Sequence, residues 1–146
     1  MLTKPSLTIQ RRFKASPQKV YQAFTDTAQL VRWFGPDFAP AESAEADLRI
    51  GGKYSILMRG KDGEEHRVSG VYREIVTNAR LVFTWAWQST PERESLVTIT
   101  IRPDGEGTLL QILHEQFFNE EARDGHDRGW TGSLGKLEHL LTENVT

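Results

Sequence analysis

The chain has 146 residues, 38% of them hydrophobic, with 18 Lys and Arg against 20 Asp and Glu, a formal charge of −2 and no cysteine. A slightly acidic balance gives no general attraction to nucleic acid or an anionic membrane, and without cysteine there is no disulfide, thiolate nucleophile or cysteine-bound metal. The length suits one domain over residues 1–146, and with neither a secretion signal nor an apolar run long enough to cross a bilayer the expected location is the cytoplasm.

Leu7–Phe13 reads as a first strand, with Leu7, Ile9 and Phe13 on one side. Ser16-Pro17 marks a helix start, Ser as cap and Pro at the first helical position, and Val20, Tyr21 and Phe24 supply its apolar side. Asp26 or Thr27 caps a second short helix carrying Leu30, Trp33 and Phe34, which Gly35-Pro36 ends before an irregular loop over residues 36–45. From Ser43 the period changes to two. Ala44, Ala46, Leu48 and Ile50 alternate with Glu45, Asp47 and Arg49, the charged set facing solvent, and Gly51-Gly52 makes a turn or bulge.

The next strand sets Tyr54, Ile56 and Met58 on one face, and Lys61-Asp62-Gly63 is a hairpin turn. His66, Val68, Gly70 and Tyr72 share a face of the following strand, which Thr77-Asn78-Ala79 closes. Then come Leu81, Phe83, Trp85 and Trp87, next Val97, Ile99 and Ile101 up to the turn at Pro103-Asp104-Gly105, and last Leu110, Ile112, His114 and Gln116. Short turns between consecutive strands imply an antiparallel meander with one covered face.

Asn119–Glu143 is the cover. Asn119 caps it, Glu120 and Glu121 favour the positive end of the helix dipole, and Arg123 can pair with Asp127 one turn on. His126, Trp130, Leu134, Leu137 and Leu141 recur at spacings of 4, 4, 3 and 4, an apolar stripe on a helix of roughly 38 Å. Gly125, Gly129, Gly132 and Gly135 oppose this, each costing roughly 1 kcal/mol against Ala, and are expected to allow close approach of another backbone or to be merely tolerated.

The inward faces are rich in large rings: Tyr54, Tyr72, Phe83, Trp85, Trp87 and Trp130, with Met58 beside them and His66, His114 and Gln116 adding polar atoms. Two readings stay open, a packed core whose polar groups find partners, or a cavity between sheet and helix. The four histidines form no H-x-H or H-E-x-x-H, so no metal site and no cofactor is expected. His126 is expected to make a structural hydrogen bond, and His139 to face solvent. Gly129 to Gly135-Lys136 has the wrong spacing for a phosphate loop, and no G-x-S-x-G elbow exists, so no catalytic residue is assigned.

Five segments occur in the order of a known family: Leu30-Val-Arg-Trp33-Phe-Gly35-Pro36, Asp47-Leu-Arg-Ile-Gly51-Gly52-Lys-Tyr54, Gly70-Val-Tyr72-Arg-Glu-Ile75, Leu81-Val-Phe-Thr84-Trp85 and Gly125-His126-Asp-Arg-Gly129-Trp130. The chain resembles the activator-of-heat-shock-protein-90-ATPase-like (AHSA-type) branch of the START/birch-pollen-allergen (SRPBCC) superfamily over nearly its whole length. Ile50 replaces the Pro often found before the Gly-Gly pair. The resemblance implies an α+β helix-grip fold, a curved antiparallel sheet of about six to seven strands around the long C-terminal helix, with two short helices after the first strand. It also implies a deep cavity that in relatives holds a hydrophobic small molecule.

The expected function is therefore binding of a small apolar or aromatic molecule by a protein that is not an enzyme. Trp33 is expected near the mouth; Tyr54, Met58, Tyr72, Phe83, Trp85, Trp87, Trp130 and Leu134 would form the walls, and His66, His114 and His126 would add polar contacts. The alternatives are a cyclase- or hydrolase-like enzyme using His66, His114 or a Tyr as acid/base, and a protein-interaction module acting through an exposed sheet face or edge, including a homodimer. Neither nucleic acid nor a membrane is an expected partner. The co-chaperone activity belongs to larger eukaryotic relatives with an added N-terminal domain, for which a chain of this length leaves no room, so a chaperone is the less favoured partner.

Overall fold

Local capping sets the start of the chain. Ser16 accepts a hydrogen bond from the Lys19 amide and Pro17 opens helix α1 (Pro17–Thr25). Asp26 accepts from the Ala28 amide and opens α2 (Thr27–Trp33). Both caps satisfy amides that a first helical turn would leave orphaned. The structure is a computed structural model and describes residues 4–35 and 41–143.

The seven strands are β1 (Leu7–Phe13), β2 (Ser43–Ala46), β3 (Lys53–Arg59), β4 (Glu65–Val76), β5 (Arg80–Trp87), β6 (Ser95–Asp104) and β7 (Gly107–Glu115). They form one antiparallel sheet in the order β1-β7-β6-β5-β4-β3-β2, so all neighbours except β1 and β7 are consecutive in sequence. The final helix, α3 (Glu120–Glu143), has 24 residues and starts where Asn119 Oδ1 accepts from the Ala122 amide at 2.8 Å. Arg123 pairs with Asp124 at 3.1 Å, its immediate neighbour, in place of the expected partner one turn on.

Burial follows the two periods. Tyr54, Ile56 and Met58 alternate with more exposed residues along β3, as Leu110, Ile112 and His114 do along β7. On α3 the residues Trp130, Leu134, Leu137 and Leu141 are all buried against the sheet's covered face. The core is thus a sheet that grips a helix, joined at one end by Val20, Phe24 and Trp33 of the two short helices.

Three local expectations are corrected. β2 ends at Ala46, and Leu48 and Ile50 are 41% and 67% exposed, because the chain turns where Arg49 folds back to pair with Asp47 at 2.7 Å. The strand also starts inside the segment expected to be loop, of which residues 36–40 lie outside the described residues. Gln116 has left β7 with φ 69° and is exposed, so it contributes no polar atom to the interior.

At Gly70 the β4–β5 ladder opens. A Cβ there would sit 1.8 Å from the Thr84 carbonyl oxygen, so only glycine lets the strands meet. Thr84 Oγ1 takes the Val71 amide at 2.8 Å and the Thr84 carbonyl accepts from the Tyr54 hydroxyl at 2.5 Å, which compensates the ladder pairs missing at Gly70 and Val71.

Candidate functional site

A solvent-open cleft of about 670 Å³ lies between the N-terminal half of α3 and the β3–β4 hairpin. Its α3 wall is built from Ala122, Gly125, Gly129 and Ser133, which share one helical face through spacings of three and four. A Cβ added at Gly129 would meet nothing within 4 Å, and one at Gly125 only the Arg128 guanidinium at 3.9 Å. Of the expected alternatives, close approach of another backbone does not apply to these two glycines, whose missing side chains leave open cleft. Gly135 also meets nothing within 4 Å and does not line the cleft.

The floor is aromatic and its polar atoms are already paired. The indole N–H groups of Trp85 and Trp87 both donate to His126 Nε2, at 3.2 and 2.9 Å. An indole nitrogen can only donate, so Nε2 carries no proton, and Nδ1–H donates to the Ala122 carbonyl at 2.7 Å. The same logic fixes His114. Trp130 Nε1 donates to its Nδ1 at 3.0 Å, leaving Nε2–H to donate to Ser95 Oγ at 2.8 Å. Three indoles and two imidazoles therefore form a neutral, mutually satisfied set. Burial, reinforced by the charge His126 would carry, pushes the His114 pKa down to about 2, and burial also lowers that of His126.

Phe34, Trp85 and Trp130 touch one another with ring centroids 5.4–5.7 Å apart. They separate the cleft from a void of about 30 Å³ lined by Tyr54, Tyr72 and Phe83 among others. The void's lining is apolar apart from hydroxyls such as that of Tyr54, which already donates to Thr84, so it is a packing defect on the scale of one water rather than a second site. The open and the solid halves of the interior meet at this aromatic partition.

The sequence-expected residues divide accordingly. Met58, His66, Trp85, Trp87, His126 and Trp130 line the cleft, with His66 exposed at its rim. Tyr54, Tyr72 and Phe83 pack behind the partition, and Leu134 is buried in the core under α3. His114 lies beneath the floor with no exposure, both nitrogens engaged. Trp33 is not at the mouth. It is wholly buried, edge-on to Phe24 at 4.8 Å, and its N–H donates to the Ala23 carbonyl, because the two short helices close over it.

Phe34-Gly35 takes the mouth position instead. Gly35 has φ 112°, and Ser133 holds it from both sides, its hydroxyl donating to the Gly35 carbonyl at 2.9 Å and accepting from the Gly35 amide at 3.2 Å. The sequence reading missed this clamp, and it missed the rim cations Arg59, Lys61, Arg93 and Arg128. The helix glycines were the available signal for the cleft; for the arginines, placed at a strand end, in a connection and on a polar helix face, there was none.

Of the candidate acid/base groups His66, His114, Tyr54 and Tyr72, His66 alone lines the cleft. Burial holds the Tyr54 hydroxyl well above the usual phenol range and Tyr72 at about 12, and His114 cannot be reached. Among the described residues no group of three or more His, Asp or Glu could hold a metal ion. None of the helices among the described residues is long and apolar enough to cross a membrane.

A seven-stranded antiparallel sheet clasping a long terminal helix, with two short helices after its first strand, defines a helix-grip protein. Residues 14–142 match the family described as activator of Hsp90 ATPase homolog 1-like protein, and the chain belongs to that family. It is 35% identical over 105 residues to the human activator of 90 kDa heat shock protein ATPase homolog 1; the match takes in 70% of this chain but only 27% of that relative. Among solved structures, protein CV1439 from Chromobacterium violaceum matches with TM-score 0.80 and 27% identity, over 94% of this chain and 97% of its own. Mll3558 from Rhizobium loti matches with TM-score 0.76 and 30% identity over 92% and 95% of the two chains. CalU16 from Micromonospora echinospora matches with TM-score 0.72 and 26% identity over 93% and 75%.

Proposed function

We propose that this protein binds a small hydrophobic or aromatic molecule in the cleft between α3 and the β3–β4 hairpin. The observation that carries this reading is the combination of an open volume of about 670 Å³ with a floor of indoles whose N–H groups are consumed by neutral imidazoles. Such a floor is apolar with no unmet polar demand, and Trp87 is its half-buried indole while Trp85 and Trp130 are buried behind it, which suits an apolar body. The glycines of the α3 wall support it further. Each forgoes roughly 1 kcal/mol of helix propensity where an added Cβ would not clash, and what they preserve is room. Native mass spectrometry and thermal-shift screening against hydrophobic and aromatic compounds test this, with Gly129→Trp as the blocked control. Compounds that stabilise the wild type and not the blocked variant support the reading; stabilisation that is the same in both overturns it.

Family membership favours a second reading, an interaction with a chaperone of the 90 kDa heat-shock class. The human relative carries that activity in its name, and this chain corresponds to about a quarter of it. Phe118 and Ile50, 57% and 67% accessible, are the most exposed of the large apolar side chains among the described residues, with Val76 and Leu48 behind them, and are open to a protein partner. Stimulation of the chaperone's ATPase by the purified chain, lost in Phe118→Ala or Ile50→Ser, would support it; no stimulation at micromolar concentration would exclude it.

A further inference from the structure

The cleft's floor is neutral, but its rim is not. Arg59, Lys61, Arg93 and Arg128 border it against Glu121 as the one carboxylate among its lining residues, in a chain whose formal charge is −2. Arg59 is compensated, bonded to Glu42 at 2.5 Å and to Glu65 at 2.9 Å. Arg93 and Arg128 differ. Among the described residues neither has a carboxylate within ion-pair distance.

Their placement is organised. Arg93, in the β5–β6 connection, lies with its guanidinium carbon 3.9 Å from the ring centre of Phe118, which holds the plane by stacking and leaves the N–H groups on its edge free for an acceptor. Arg128 folds back along α3 toward Gly125, its Nη2 3.9 Å from where a Cβ there would sit. Both therefore border the end of the cleft nearest the start of a 24-residue helix, whose dipole adds positive potential there; Glu121 in the first turn offsets part of it. An apolar body seated on the indoles would have both guanidinium groups on the rim around it.

We infer that the ligand is an amphipathic organic carboxylate, its apolar or aromatic part on Trp85, Trp87 and Trp130 and its carboxylate between Arg93 and Arg128. The inference rests on the binding function proposed above and specifies its substrate class. A guanidinium fork fits a planar carboxylate with two parallel hydrogen bonds, and such charge-assisted bonds are stronger than those between neutral groups.

Calorimetric titration with 1-naphthaleneacetate, its methyl ester and 1-naphthylmethyl phosphate tests this. The wild type is expected to bind the acid at least about tenfold more tightly than the ester. Arg93→Gln and Arg128→Gln should each remove about tenfold of acid affinity, leave ester affinity unchanged, and weaken the fall of acid affinity with added salt. Acid and ester binding equally, or both arginine variants binding the acid as the wild type does, overturns the carboxylate inference while leaving the apolar cleft in place. Tighter binding of the phosphate than of the acid overturns the carboxylate in favour of a phosphoester. Binding of none of the three overturns it together with the binding function on which it rests. Thermal melts of both variants check that these two surface substitutions leave the fold intact.

Discussion

The indole N–H of Trp130 on α3 donates to Nδ1 of His114 on β7 across 3.0 Å, and this one bond fixes the tautomer of a ring with no exposure to water. It also ties the gripping sheet to the gripped helix directly beneath the cleft floor. Because indole cannot accept, the ring must stay neutral for the bond to exist.

That requirement makes stability pH-dependent. His114 has its folded pKa at about 2 against an ordinary 6.5, and His126 is shifted in the same direction by burial. Below pH 6.5 the unfolded chain binds protons that the folded chain refuses, so stability is full above that pH and falls as pH drops, by up to about 1.4 kcal/mol per pH unit for each histidine. Tyr72, raised from 10 to about 12, acts at the other end: the unfolded phenol ionises first, and stability declines as pH rises above 10. Urea midpoints measured at pH 5, 7.5 and 10.5 should be highest at 7.5. Equal midpoints at pH 5 and 7.5 would contradict the neutral network.

Replacing His114 by Phe keeps a ring of similar size and strands the Trp130 N–H in the core. A loss of about 2–4 kcal/mol is expected in denaturant unfolding. Removing both partners, as His114→Phe with Trp130→Phe, should cost less than the sum of the two single changes, since neither group is then left unmet. Strict additivity would show that the bond contributes nothing.

Gly35→Ala tests the clamp at the cleft mouth. With φ at 112° a side chain is strained there, and its Cβ would meet Met58 Cγ and Sδ at 3.3 Å. The expected loss is about 1–3 kcal/mol. A melt unchanged from the wild type would mean that the backbone can relax without its bonds to Ser133.

Much of the architecture was legible because its signals are local. Ser16-Pro17, Asp26 and Asn119 are caps that act within one turn, and the alternation through β3 to β7 is set by neighbours two residues apart. Leu48 and Ile50 misled because the same alternation runs on past the point where the Asp47–Arg49 pair and the glycines turn the chain. The cleft was only half legible. Periodicity says which rings face inward, yet whether they interlock depends on how far α3 stands from the sheet, a quantity set by distant contacts. At Tyr54, Tyr72 and Phe83 the rings fill the interior, whereas Trp85, Trp87 and Trp130, though packed on one another, leave open space beside Gly125 and Gly129.

Position 129 separates stability from binding. Gly129→Ala should stabilise the fold by about 0.5–1 kcal/mol through helix propensity alone, because its Cβ meets nothing. Gly129→Trp should keep a wild-type melt and fill the cleft. Calorimetric titration of wild type and both variants with methyl 1-naphthaleneacetate gives the decisive comparison: binding retained in the wild type and Gly129→Ala and lost in Gly129→Trp is the expected result. Undiminished binding by a correctly folded Gly129→Trp protein would show that the cleft is not where an apolar molecule goes.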